Sequence, residues 1–309
     1  MSSEGTAYKA ADVTSSDDTA YDALTEAGGD DHRWAFGTGF DDPLAGVDTS
    51  IPDGVNGDDL AGYCLMLGDD ALIMSHRLQA WVARAPELEE EAALANVALD
   101  LLGQARLLLT RAGSADGTGR TEDDYAYQRD EHEFRNVTLV EAADTDFATC
   151  IARLLVFSAW RLALVDQLAS SRDPVLAAIA AKAVKEITYH RDYAAQWVIR
   201  LGDGTQLSRS RMAAAMAGVE PFIGELFTAH PVESRLLEAG VAVDPATLRT
   251  EVEAIISQVL HSATLETTRP PTVAPHADAV GRDGRHTDAM AALLSELQSV
   301  ARALPGATW

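Results

Sequence analysis

Lysine is almost missing from this chain. Lys9, Lys182 and Lys185 are the only three in 309 residues, so arginine supplies nearly all the positive charge. Against 24 basic residues stand 48 acidic ones, a formal net charge of -24. Such a chain repels polyphosphate and anionic lipid, which excludes nucleic acid and anionic membrane as expected partners. Acid excess with lysine depletion also fits a surface adapted to high salt, where self-repulsion is screened. Cysteine is scarce too. Cys64 and Cys150 lie in apolar helical segments without partner spacing, which excludes a disulfide framework and a thiolate metal site. Free thiols of that kind suit a reducing cytoplasm, the expected location. No uninterrupted apolar run reaches the length of a membrane span, and the N-terminus lacks a basic-then-apolar signal. Gly-rich phosphate loops, G-x-S-x-G elbows and Cys-x-x-Cys pairs are also missing.

What remains divides in two. Residues 1–57 carry twelve acids against Lys9 and Arg33, with scattered Gly, Ser and Thr and no helical period. That composition predicts a disordered, solvating arm; Trp34, Phe36 and Phe40 within it are candidates for a docking patch. Residues 58–309 form the predicted ferritin-like helical domain, in which the pattern from Leu60 onward is helical almost throughout, with no run of β-alternation. Helices are predicted over 58–84, 86–112, 146–170, 174–201, 206–229, 232–239, 244–265 and 287–303. The first two and the next two form long hairpins, each turning at a proline. Two hairpins joined by a longer crossover describe an all-α, ferritin-like four-helix bundle, here with additional C-terminal helices.

The helix from Pro174 to Leu201 is the most informative element. Asp173 suits the N-cap, Pro174 the first helical position and Gly202 the stop. At 1.5 Å per residue it extends about 42 Å. Its inward stripe reads Ile179, Ala183, Glu186, His190, Tyr193, Trp197 and Leu201, which places a carboxylate and an imidazole on the apolar face. Di-iron carboxylate bundles use Glu-x-x-His from two helices and a Glu from each of two others. Here position 189, three after Glu186, is Tyr189. Aligning the hairpins on Pro86 and Pro174 sets Ala98 against Glu186 and Leu101 against Tyr189, so the second helix offers no ligand. Asp100 lies on a polar ladder with Asn96 and Gln104, Asp70 shares the face of Leu67 and Met74, and Arg161 occupies a place a metal site would give to an acid. Asp70, Asp100, Arg161, Glu186 and His190 therefore read as a hydrogen-bonded polar core without metal or catalytic residues, Glu186 and His190 satisfying each other. The remaining histidines do not pair at ligand spacing. The second helix is apolar nearly all round between Ala92 and Leu109, which predicts a central helix or an interface with another chain.

Five collinear stretches carry a resemblance: "LGDDALIMSHRLQAWVARAPELEEEAALANVALDLLGQAR" (67–106), "RDEHEFRNVTLVE" (129–141), "SRDPVLAAIAAKAVKEITYHRDYAAQWVIRLGDGT" (171–205), "GRHTD" (284–288) and "RALPGATW" (302–309). Over about 60–309 the chain resembles the non-catalytic, ferritin-like C subunits of multicomponent phenylacetyl-CoA 1,2-epoxidases. The resemblance implies a supporting role beside a catalytic paralogue that carries the di-iron centre. It also implies a small bridging subunit, and a reductase bearing flavin and a [2Fe–2S] cluster that draws on NADPH. No cofactor is implied for this chain itself. Two other readings stand beside it: an active di-iron oxygenase or ferritin, and a helical adaptor unrelated to oxygenases.

Overall fold

The computed structural model describes residues 44–265, 280–305 and 307; the predicted arm up to residue 43, with Trp34, Phe36 and Phe40, lies outside them. Among the described residues all regular structure is helical, and ten α-helices follow one another. They are α1 Gly57–Gln79, α2 Leu88–Ala115, α3 Glu122–Tyr127, α4 Phe147–Leu168, α5 Pro174–Gly202, α6 Gln206–Ile223, α7 Pro231–Glu238, α8 Pro245–Ser262, α9 Asp288–Leu297 and α10 Ser299–Ala303. α1 packs along α2, α4 along α5, and α2 meets α5 across the bundle, which is the ferritin-like arrangement of two hairpins. α6 and α8 lie against α4 and α5, and α7 against α1.

Side chains at the helix ends set the boundaries. Asn56 caps α1 by accepting from the Asp59 N–H, Asp146 caps α4 through Thr149, and Asp173 caps α5 through Leu176. The first predicted helix stops at Gln79, and a run of turns through Ala85 carries the chain to α2. Pro221 lies in the last turn of α6, which ends at Ile223 rather than 229. The single helix expected over 287–303 is broken between Leu297 and Ser299. Gln298 turns inward there and donates to the carbonyls of Ala126 and Arg129.

The packed body also begins before residue 57. Leu44, Val47, Ile51 and Val55 rest on the core. Arg111, at the end of α2, donates to the carbonyls of Thr49 and Ser50 and to the Asp173 carboxylate at 2.5 Å. One buried guanidinium thus ties the entry segment and both hairpins together.

By length and composition α2 and α4 are both apolar enough to cross a membrane. Occasional polar residues interrupt what would otherwise be long apolar runs. α4 is nearly all inside the protein, in keeping with a bundle's central helix, whereas less than half of the corresponding stretch of α2 is covered. α2 is therefore not buried all round. Leu94, Val97, Ala98, Leu101, Ala105 and Leu108 face inward, and Leu99 is 61% exposed.

Candidate functional site

The five polar residues singled out in the sequence fall into two separate groups. The first joins α1 to α4. Asp70 is fully buried, and its carboxylate accepts from both terminal nitrogens of Arg282 at 2.8 and 3.0 Å and from the Val137 N–H at 2.8 Å. Arg161, on α4, approaches the same carboxylate to 4.0 Å and donates to the Leu67 carbonyl. Burial pushes the Asp70 carboxyl upward and the Arg161 guanidinium downward, while each charge opposes the shift of the other. Arg282 gives a further hydrogen bond to each of the Met66 and Arg135 carbonyls. A neighbouring buried pair repeats the pattern: Arg129 grips both oxygens of Asp69, whose Oδ2 also takes the Arg135 N–H.

The second group joins α2 to α5. His190 Nε2 lies 3.0 Å from Asp100 Oδ2, and Gln104 Nε2 donates to Glu186 Oε2 at 3.0 Å. Lys182 sits 3.5 Å from the other Glu186 oxygen. The expected Glu186–His190 pairing does not form. Each of the two turns across the helix interface to a rung of the Asp100–Gln104 ladder instead. The remaining ladder residue, Asn96, is exposed.

The buried stripe of α5 also differs from the expected one. It runs Ile179, Ala180, Ala183, Ile187, His190, Ala194 and Val198. Glu186, Tyr193, Trp197 and Leu201 lie at its edge, and Tyr189 is 51% exposed. Alternating steps of three and four fit two neighbouring registers of one helix, and packing selects between them. The inward pair at Glu-x-x-His spacing is consequently Ile187 with His190. On α2, Ala98 and Leu101 are both buried at that same spacing. Burial therefore matches Ala98 with Ile187 and Leu101 with His190, one residue from the match that the prolines suggest. Position 189 is not where an inward histidine belongs; position 190 is, and it holds one.

A di-iron centre on such a bundle takes about four carboxylates and two histidines from facing helices. The residues here do not fit it. The interior offers Asp70, already shared by two guanidinium groups, a cation at Arg161, and apolar residues at 98, 101 and 187. Among the described residues, the donors gathered closely enough for a metal are Glu87, Glu89 and Glu90 at the start of α2. They are largely exposed, and their charges suit the positive end of the helix dipole.

Sequence reading missed Arg129, Arg282, Glu141 and His286, whose side chains are buried, and the half-buried Glu225; all five are hydrogen-bonded. The motif stretches 129–141 and 284–288 contain or flank four of them, but their partners are distant in sequence and no spacing rule connects them.

Residues 49–309 match the family model described as phenylacetic acid catabolic protein. The chain belongs to that family. Within it, the chain is 44% identical over 250 residues to the C subunit of the 1,2-phenylacetyl-CoA epoxidase of Escherichia coli (strain K12). The match covers 81% of this chain and 99% of the relative. The phenylacetic acid catabolic family thus spans the whole helical body, with the described arginine pairs inside it.

Proposed function

We propose that this chain is a non-catalytic subunit of a phenylacetyl-CoA epoxidase assembly acting in aerobic phenylacetate degradation. It supports a di-iron ferritin-like paralogue and binds no iron itself. One observation carries the reading: the interior that a di-iron protein would line with acids is closed here by Asp70 bound to Arg282 and Arg161. A cation fixed at that place raises the cost of bringing in a second cation. The similarity to a relative named as the C subunit of such an epoxidase supports the role.

The partly uncovered α2 supports a partner on that side. Leu99 and Leu88 are exposed on it, and an added Cβ at Gly103 would meet nothing. A facing helix would find room there for close approach. The remaining partners follow from the same reading: a small bridging subunit, and a reductase carrying flavin and a [2Fe–2S] cluster, in the cytoplasm.

The test is iron analysis of the purified chain after anaerobic iron loading, combined with oxygen consumption on phenylacetyl-CoA and NADPH with and without the paralogue. The expected result is no bound iron, and turnover only when the paralogue and reductase are present. One or two irons per chain, or turnover by this chain and reductase alone, would establish an active di-iron protein instead. Failure to bind any ferritin-like partner would favour an unrelated helical adaptor.

A further inference from the structure

The segment after Val280 seats itself in the loop of residues 129–141. Glu225 accepts from the Gly281 N–H and from the backbone and hydroxyl of Thr138, and Arg282 reaches Asp70. Four residues further on, the His286 side chain is completely buried. Its Nδ1 lies 2.6 Å from Glu141 Oε1, and its Nε2 lies 3.2 Å from the Phe134 carbonyl oxygen. Both ring nitrogens therefore face acceptors.

A neutral imidazole has one N–H, so it would set a lone pair against one of those oxygens. Only the imidazolium satisfies both. Glu141 can hold such a partner, because Asn136 Nδ2 and the N–H and hydroxyl of Thr287 also donate to it. Among the charged groups around this place Glu131 favours the cation, while Arg77 interacts with Glu141 and, at the α1–α9 contact, with Glu296 and the titratable His76. Arg77 donates to the Glu141 and Ala289 carbonyls, and Arg135 to the His132 carbonyl beside Gly284.

We infer that α9 and α10 form a latch on the bundle that is held shut by His286 in its doubly protonated form, so that alkaline conditions open it before the four-helix bundle unfolds. Gly284 is the natural pivot, with φ of +74°. The Arg282–Asp70 pair upstream of it is held by two hydrogen bonds and stays seated. Downstream, the latch is held by Met290, Leu293 and Leu294 in the core and by Gln298 and Arg302 on the carbonyls of residues 126–129. The imidazolium adds to that anchorage at the entry to the two short helices.

The direction of titration agrees with the geometry. Burial lowers the affinity of His286 for its proton, but Glu141 and the Phe134 carbonyl outweigh it, and the net shift is upward. A group raised in the closed state stabilises that state fully below its ordinary value of about 6.5 and stops doing so once the pH passes the raised value.

Amide hydrogen exchange in α9 of the full-length chain, corrected for base-catalysed intrinsic rates, reads the opening directly. Between pH 6 and 9 the opening constant should rise by up to about tenfold per pH unit from about 6.5 and then level off. Amides of α1 and α4 should not follow. His286→Gln should remove the pH dependence while leaving the latch more open at pH 6. A flat opening constant in the native protein, an equal slope in α1 and α4, or a slope that survives in His286→Gln would each overturn the inference. If that variant fails to fold, NMR of the native imidazole decides. A ring carrying both N–H protons at pH 7 supports the latch, and a single neutral tautomer at that pH refutes it.

Discussion

Asp70 and Arg282 stand 212 residues apart in sequence, and their side chains are joined by two hydrogen bonds inside the bundle. Arg282 follows α8 by many residues, yet its guanidinium also takes the Met66 carbonyl of α1. The C-terminal region is thus fastened to the first helix by a charge pair, not only by apolar packing. Asp70→Asn should destabilise the protein by about 3–5 kcal/mol, because two guanidinium groups are left without their counter-charge. Replacing Asp70, Arg161 and Arg282 together by apolar residues of similar volume should recover much of that loss. Denaturant unfolding of the two variants provides the comparison; equal losses would count against the pairing.

Glu186 and His190 should behave unequally. Glu186 keeps 18% of its side chain in solvent and shares one hydrogen bond with Gln104, so Glu186→Ala should cost about 0.5–1.5 kcal/mol. His190 is buried, and replacing it with alanine leaves a hole beside Asp100. His190→Ala should therefore cost more, about 2–4 kcal/mol on the scale of core truncations. Both variants should keep normal turnover per assembled complex. Loss of turnover at unchanged stability would contradict the structural role given to them.

Leu99→Asp tests the uncovered side of α2. With Leu99 this exposed, the change should leave the melting temperature of the isolated chain nearly unaltered. Binding to the di-iron paralogue should fall at least about tenfold, the loss of a single well-packed apolar anchor. Because the chain carries a net charge of -24, association with another acidic protein should strengthen as salt screens their repulsion. Sedimentation of mixtures over a range of salt concentrations measures both effects.

Gly281→Ala tests the seat of the C-terminal segment. A methyl group there would run into the Asn136 carbonyl oxygen, which is backbone and cannot swing aside. The expected cost is about 1–3 kcal/mol, with raised hydrogen exchange in α9. Gly218→Ala in α6 is the control, since an added methyl meets nothing there. Unchanged exchange in Gly281→Ala would show that the segment does not dock as described.

Several features were legible in residue order alone. Caps such as Asp173 followed by Pro174 mark a helix start because side-chain acceptor and fixed φ act locally. The four long apolar periods declare a helical bundle for the same reason. Which face is inward was not legible. A stripe through Glu186 and one through Ile187 differ by a single position, and only packing against α2 and α4 chooses the second. Asp100 and Gln104 were visible as a ladder, but not as the partners of His190 and Glu186.

Composition and local periodicity therefore determined the all-helical class, the four long helices and the acidic character of this protein. Tertiary structure alone decided where its buried charges go. Asp70 with Arg282, Asp69 with Arg129 and Glu141 with His286 are each brought together across long stretches of chain. A buried charge takes whatever counter-charge the fold carries to it, and sequence spacing records only neighbours along the helix.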